Sequence, residues 1–164
     1  MNPRYSLCVR QQGITLVVSL IFLAVLAILA VTIARNSSME ERMSGNTRDR
    51  DLAFQSAEAA LKDAEDDLPG LLGNAFDGST AGLIAYAAAN ANDMAYWKAY
   101  NWAAASQEAT AVLSQVNAKS RYVIEKKPNT GPVGTPTQHF RVTARGVGAT
   151  PDAVVILQSE YDYN

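Results

Sequence analysis

Residue types that could carry chemistry are few in this 164-residue chain. His139 is the single histidine and Cys8 the single cysteine. A lone thiol cannot form an intramolecular disulfide, and no Cys–His spacing suits a metal. His139 stands beside Phe140 at the start of a strand-like run, where a surface or edge position is expected. The chain has no G-x-S-x-G, no P-loop and no H-E-x-x-H. The adjacent carboxylates Asp66 and Asp67 fall near a predicted helix C-terminus, where solvent surrounds them and their charge opposes the helix dipole. GNAFDGST (73–80) sets Asn74, Asp77 and Ser79 around Gly78. It lacks the D-x-[DN]-x-[DN]-G order and the closing Glu of a calcium loop, so a plain turn is expected. Tyr86, Tyr96, Trp97, Tyr100 and Trp102 cluster in a stretch rich in Gly, Ala and Asn. Such rings either line a glycan or partner surface or fill core beneath an irregular loop, and core is the expectation. No catalytic residue, cofactor or metal site is expected.

The elements that would position these residues begin with residues 14–34, ITLVVSLIFLAVLAILAVTIA, which hold no charge, Pro or Gly. At ~1.5 Å per residue a helix of this length spans ~30 Å, the thickness of a bilayer core. Thr15, Ser19 and Thr32 are its polar members, and hydroxyls can bond back to helix carbonyls. A buried core helix is not expected, because the remaining chain could hardly surround the run on every face. Residues 35–68 continue with good helix formers. Ala53, Ala57, Ala60, Leu61, Ala64 and Leu68 form one apolar stripe at helical period, with Glu58, Lys62, Asp63 and Glu65 on other faces. Pro69 and Gly70 are read as the stop. One helix from Ile14 to about Asp67 would be ~80 Å long. Gly45 interrupts the pattern, either as a bend or as a tolerated surface glycine.

The net charge is −2, from 14 basic and 16 acidic side chains. Removing a leader that carries Arg4 and Arg10 leaves 12 basic against 16 acidic, a charge of −4. A nucleic-acid partner is not expected from this balance. Arginines on both sides of the apolar run, Arg4 and Arg10 before it and Arg35, Arg42, Arg48 and Arg50 after it, leave its orientation open by charge counting.

Upstream, a short hydrophilic, basic segment closes with Gly13 immediately before the apolar run. This arrangement resembles the class III signal of prepilins. GITLVVSLIFLAVLAILAV followed by EERMSGNTRDRDLAFQSAEAAL resembles the N-terminal region of PilX-type minor pilins of the type IV pilus. RYVIE (121–125) and FRVTARG with AVVILQSEY (140–161) are similar to that family's C-terminal part, whereas 70–120 gives little match. The resemblance implies a leader of residues 1–13, cut after Gly13 by prepilin peptidase, and methylation of the new Ile14 amine. Cys8 would be discarded with it. It implies residence in the inner membrane with the head in the periplasm, then a surface pilus used in twitching motility and adhesion. The implied partners are other minor pilins, the major pilin and a large tip adhesin. A plain single-pass anchor carrying a periplasmic binding domain, and a pseudopilin of type II secretion, remain alternatives.

In most pilins the fifth mature residue is Glu, thought to neutralise the amine of the neighbouring subunit. Counting Ile14 as first, the fifth residue here is Val18, and 14–34 holds no acid. An ionised side chain at the bilayer centre costs ~2.5–3.5 kcal/mol on insertion scales, so one persists only with a partner or a purpose. A subunit without it loses least where it has no predecessor, at the tip. PilX-type minor pilins and the K-type pseudopilin share this departure. The expectation is a priming, tip-located minor pilin, as against a valine that merely faces lipid.

For the head, residues 69–164, short helices and loops are expected over 70–105 and a helix over 106–119 capped by Ser106. In that helix Ala109, Val112, Leu113 and Val116 make the apolar stripe. RYVIEK (121–126), HFRVTAR (139–145) and DAVVILQSEY (152–161) read as strands, with a Pro-Gly loop at 127–137 and a hairpin loop around Gly146, Gly148 and Pro151. An antiparallel sheet near 121–161 packed on the long helix gives an α+β, pilin-like fold.

Overall fold

The computed structural model describes residues 13–111, 113–132 and 136–163. Residues 1–12 of the expected leader, with Arg4, Cys8 and Arg10, lie outside the described residues, as do Val112 and part of the 127–137 loop. The described chain divides into two units, one ending at Ser44 and the other spanning Gly45–Asn164.

Helix α1 runs Ile14–Leu71 and is helical through Gly45, where a Cβ would meet nothing within 4 Å. It also runs through Pro69 and Gly70, past the predicted stop. A proline removes one intrahelical bond, and in the last turn the helix loses little by it. The chain leaves the helix through a turn in which Asn74 N–H donates to the Leu71 carbonyl (3.0 Å).

In the second unit the predicted stripe is buried at Ala53, Ala57, Ala60, Ala64 and Leu68, joined by Ser56, while Leu61 is half-buried at the edge of the core. Strands follow as β1 (Leu83–Ala85), β2 (Gln107–Glu108), β3 (Arg121–Lys126), β4 (Gln138–Val147) and β5 (Val154–Tyr163). The three long strands are antiparallel as expected. The sheet is nevertheless mixed, because β1 pairs in parallel with β3, extending the order to β1-β3-β4-β5, and β2 pairs antiparallel with β3 off that path.

Strand alternation sorts the side chains between two faces. Tyr122, Ile124, Phe140, Val142 and Ala144 pack with Ala60, Ala64 and Leu68 of α1 in the main core. Val123 faces the other way, under Trp97 and Trp102. Two short helices, α2 (Met94–Ala99) and α3 (Trp102–Ala105), carry those rings. Asp93 caps α2 by accepting from the N–H groups of Ala95 and Tyr96, and Asn101 caps α3 through Ala104 N–H.

The helix expected over 106–119 does not form. Ser106 is the C-cap of α3, its hydroxyl donating to the Trp102 carbonyl. Gln107 and Glu108 pair with β3 as β2, and Ala109 N–H donates to Ser120 O (3.0 Å). Asp63 of α1 accepts from Thr110 Oγ1 (2.9 Å) and Ala111 N–H (2.8 Å). These tertiary partners outbid a local helix propensity worth only tenths of a kcal/mol per residue.

Candidate functional site

The N-terminal end is built by composition alone. Gly13 is a bend just before α1, and Ile14 is the first helical residue. A Cβ at Gly13 would meet nothing within 4 Å, so the head does not dictate the glycine. From Ile14 to Ser44 every residue is exposed, Val18 at 58%. Ser19 hands its hydroxyl to the Thr15 carbonyl (2.8 Å) and Thr32 to that of Ile28 (2.9 Å), which satisfies them without water. Ser19, Ala24 and Ala27 leave a shallow groove between Leu16, Leu20 and Leu23. The described residues contain one helix long and apolar enough to cross a bilayer, and this is it. Its surface offers dispersion contacts to lipid or to neighbouring helices and no ionisable group from Ile14 to Ala34.

Among the described residues, no group of three His, Cys, Asp or Glu could hold a metal. GNAFDGST forms a turn in which Ser79 N–H donates to Asp77 Oδ1 (2.9 Å) around Gly78, whose φ is 88°. His139 sits on β4, its Nε2 2.5 Å from Thr130 Oγ1 and its Nδ1 against Asp162. It ties the 127–137 loop and β5 to β4. Asp66 and Asp67 are both exposed as expected, and Asp67 also accepts the hydroxyl of Tyr122 on β3. Burial, then that bond to a carboxylate, holds the Tyr122 phenol well above its ordinary value.

Three aspartates of α1 thus fasten the head to it. Asp49 accepts from Ala149 N–H (2.5 Å), Thr150 N–H (3.2 Å) and the Thr150 hydroxyl, and so holds the β4–β5 loop. Asp63 holds the segment after β2, and Asp67 holds β3. The aromatic cluster is largely core: Trp97 and Trp102 are buried, with Tyr96 and Tyr100 packed against them. The indole N–H groups donate to the carbonyls of Asn90 (2.7 Å) and Trp97 (2.9 Å). Burial pushes Tyr100 up to about 12.

An ion pair beneath this layer escaped the sequence reading. Glu125 and Arg141 are cross-strand partners, both buried, with Arg141 Nε and Nη2 each 2.7 Å from the carboxylate. The Ala87 carbonyl accepts from Arg141 Nη2 (2.8 Å), Ala87 N–H donates to Glu125 (3.2 Å), and Tyr86 lies 4.8 Å from the guanidinium carbon. Burial opposes the Arg141 charge, but the bonds and charge of Glu125 outweigh it and raise its pKa. The pair is a fully satisfied cross-strand lock, not a reactive centre. Opposite charges on the outward faces of two predicted strands were the available signal, but only a known register brings them face to face.

Two family models match the chain. One, described as PilX N-terminal, covers residues 12–62, and the other, described as type IV pilus assembly protein PilX C-term, covers residues 55–162. Neither the curated proteins nor the solved structures give a match.

Proposed function

Since the chain belongs to the PilX family of type IV pilus assembly proteins, and is thus a minor pilin with a structural role, we propose that it primes pilus assembly and stays at the tip. The observation that carries this reading is Val18. The fifth residue of α1 is apolar, in a stretch exposed throughout and without one acid from Ile14 to Ala34. Such a subunit cannot offer a carboxylate to a predecessor's amine, and the tip is where no predecessor exists. In this reading prepilin peptidase cuts after Gly13, and the amine of Ile14 becomes methylated. The head stands in the periplasm before assembly and at the cell surface after it. The major pilin and other minor pilins pack on the apolar half of α1, and a large tip adhesin meets the head. Twitching motility and adhesion depend on it through the pili it starts. Moving the apolar half out of lipid exposes area worth ~25 cal/mol per Å² to water unless neighbours cover it, so extraction and packing must be coupled.

Intact mass of the membrane-extracted protein is expected to show a chain that begins at methylated Ile14. A Met1 start would sink the processing step and favour a permanently anchored periplasmic binding domain. Immunogold on sheared pili is expected at one end of each filament, and labelling along the shaft overturns the tip placement. A strain lacking the protein is expected to lose surface pili while type II secretion continues. The opposite result assigns it to a pseudopilus.

A further inference from the structure

Strand β5 ends the sheet, and its outer edge is open among the described residues. Its register with β4 runs unbroken from Gln138↔Tyr163 to Val147↔Val154, so no bulge turns the edge away. The hairpin closes with Gly148 N–H donating to Ala153 O (2.8 Å). Antiparallel alternation from that bond turns the backbone groups of Val155, Leu157, Ser159 and Tyr161 toward β4. Those of Val154, Ile156, Gln158, Glu160 and Asp162 turn outward. Lys127 N–H donating to His139 O agrees, since it leaves the even-numbered residues of β4 for β5. Natural edges are blunted by shortness, Pro, Lys or a bulge. The opposite edge strand, β1, has three residues. β5 has ten, with neither Pro nor Lys.

Beside this edge a groove of about 360 Å³ is lined by Arg50, Met94, Lys98, Val154, Val155 and Ile156. A second cavity, about 180 Å³, shares Met94 and Ile156 and continues to Leu157 and Gln158. Met94 is 53% exposed despite its apolar side chain. Arg50 and Lys98 have no hydrogen-bond or ion-pair partner among the described residues, and Arg145, opposite Ile156 on β4, has no carboxylate partner there. At the other end of β5 the acids are already engaged, Glu160 by Lys127 (2.8 Å) and Asp162 by His139.

We infer that the open edge of β5 and the groove beside it dock an extended segment of another protein, apolar at alternate positions and acidic where it passes Arg50 and Lys98. Backbone pairing along the edge supplies affinity, alternate side chains enter the groove, and the uncompensated cations select the acids. A second copy of this chain is a poor occupant, because the acids of its own β5 are already paired. The inference concerns the unit Gly45–Asn164 and stands or falls independently of tip placement.

The test uses the full chain in detergent micelles and a capped decapeptide of alternating valine and threonine that ends in two glutamates. A twin peptide ending in two lysines is the control. The glutamate peptide is expected to bind about tenfold more tightly at low salt. It is expected to slow amide exchange at Ile156, Gln158 and Glu160, the outward N–H groups. Combined R50E and K98E should reverse the preference. Gln158→Pro removes an outward N–H, along with the side-chain bond to Thr143, and should abolish binding. Gln158→Ala, which also loses the 2.8 Å bond to Thr143, should keep it. Should the proline variant fail to fold, the charge reversal alone decides. The inference is overturned by equal binding of the two peptides, by binding without exchange protection, or by a folded Gln158→Pro that binds like wild type. Protection that appears without peptide and grows with protein concentration also overturns it, in favour of a second copy.

Discussion

The two halves of α1 solve the same problem in opposite ways. From Ile14 to Ala34 the helix is apolar on every side, and no residue of it is buried. From Ala53 to Leu68 only one stripe is apolar, and that stripe is buried in the head's core. A helix apolar all round needs an environment that is apolar all round, whereas a striped helix needs one partner face. The second half therefore finds its cover within its own chain. The first half must take its cover from lipid or from neighbouring subunits. The hydrogen bonding follows the same division. Ser19 and Thr32 in the first half bond back to their own helix, while Asp49, Asp63 and Asp67 in the second reach out to the head.

The same truncation placed in each half separates these roles most sharply. Leu68→Ala should destabilise the head by ~2–5 kcal/mol, the usual cost of emptying a buried leucine site. Leu23→Ala should leave unfolding of the head within ~0.5 kcal/mol of wild type. Denaturant unfolding in micelles, followed by the fluorescence of the buried Trp97 and Trp102, measures both. Equal losses would mean that the apolar half stabilises the head directly, which erases the contrast.

How much of this could be read in the sequence depended on how local each signal is. The apolar run, the Ala53–Leu68 stripe and the alternation of β3 and β4 repeat over many residues, and each appears where its period places it. Over 70–105 the expected short helices form as α2 and α3, but β1 and the absence of a helix over 106–119 were not legible, for the opposite reason. β1 is three residues long and exists because β3 lies beside it, and Gln107–Ala111 is held by β3, Ser120 and Asp63 against its own helical pattern. The aromatics were legible as core. Their place on the far side of the sheet, over Val123, was not, since it depends on which face of β3 the segment before it covers. The proposed roles of Gly13, Ile14 and Val18 rest on linear sequence alone. The ion pair of Glu125 and Arg141 could not be read there, because it depends on register.

The contact between stripe and sheet sets the next effect. Gly146 of β4 crosses α1 so closely that an added Cβ would lie 2.1 Å from Ala53 O and 2.4 Å from Ala57 N. Both atoms are helix backbone and cannot rotate aside, and the alanines opposite are the smallest side chains that keep the helix. Gly146→Ala should cost ~1–3 kcal/mol by overpacking. Gly45→Ala, whose Cβ meets open space, should be neutral or slightly stabilising. Thermal melts of the two variants check this. A neutral Gly146→Ala would show that the head can slide along the stripe, and the buried half of α1 would then be less committed to one position than its packing indicates.

The smallest effect lies where the striped half begins. The Asp49 carboxyl is held below its ordinary value of 3.8, first by the Thr150 hydroxyl and then by the N–H groups of Thr150 and Ala149, against a desolvation that opposes them. A lowered folded pKa means that the ionised form is the one that binds the loop. Its contribution is fully present above the unfolded value and disappears as pH falls through the folded one. Asp49→Asn keeps the shape and removes the charge. The variant should melt no more than a few degrees below wild type near pH 7. The gap should narrow below about pH 4 and close further as Asp49 itself becomes protonated. A gap that stays constant down to pH 2 would show that shape, not charge, holds the β4–β5 loop to α1. The acids of the second half would then be packing elements like the alanines beside them, and the two halves of the helix would differ only in how much of each is covered.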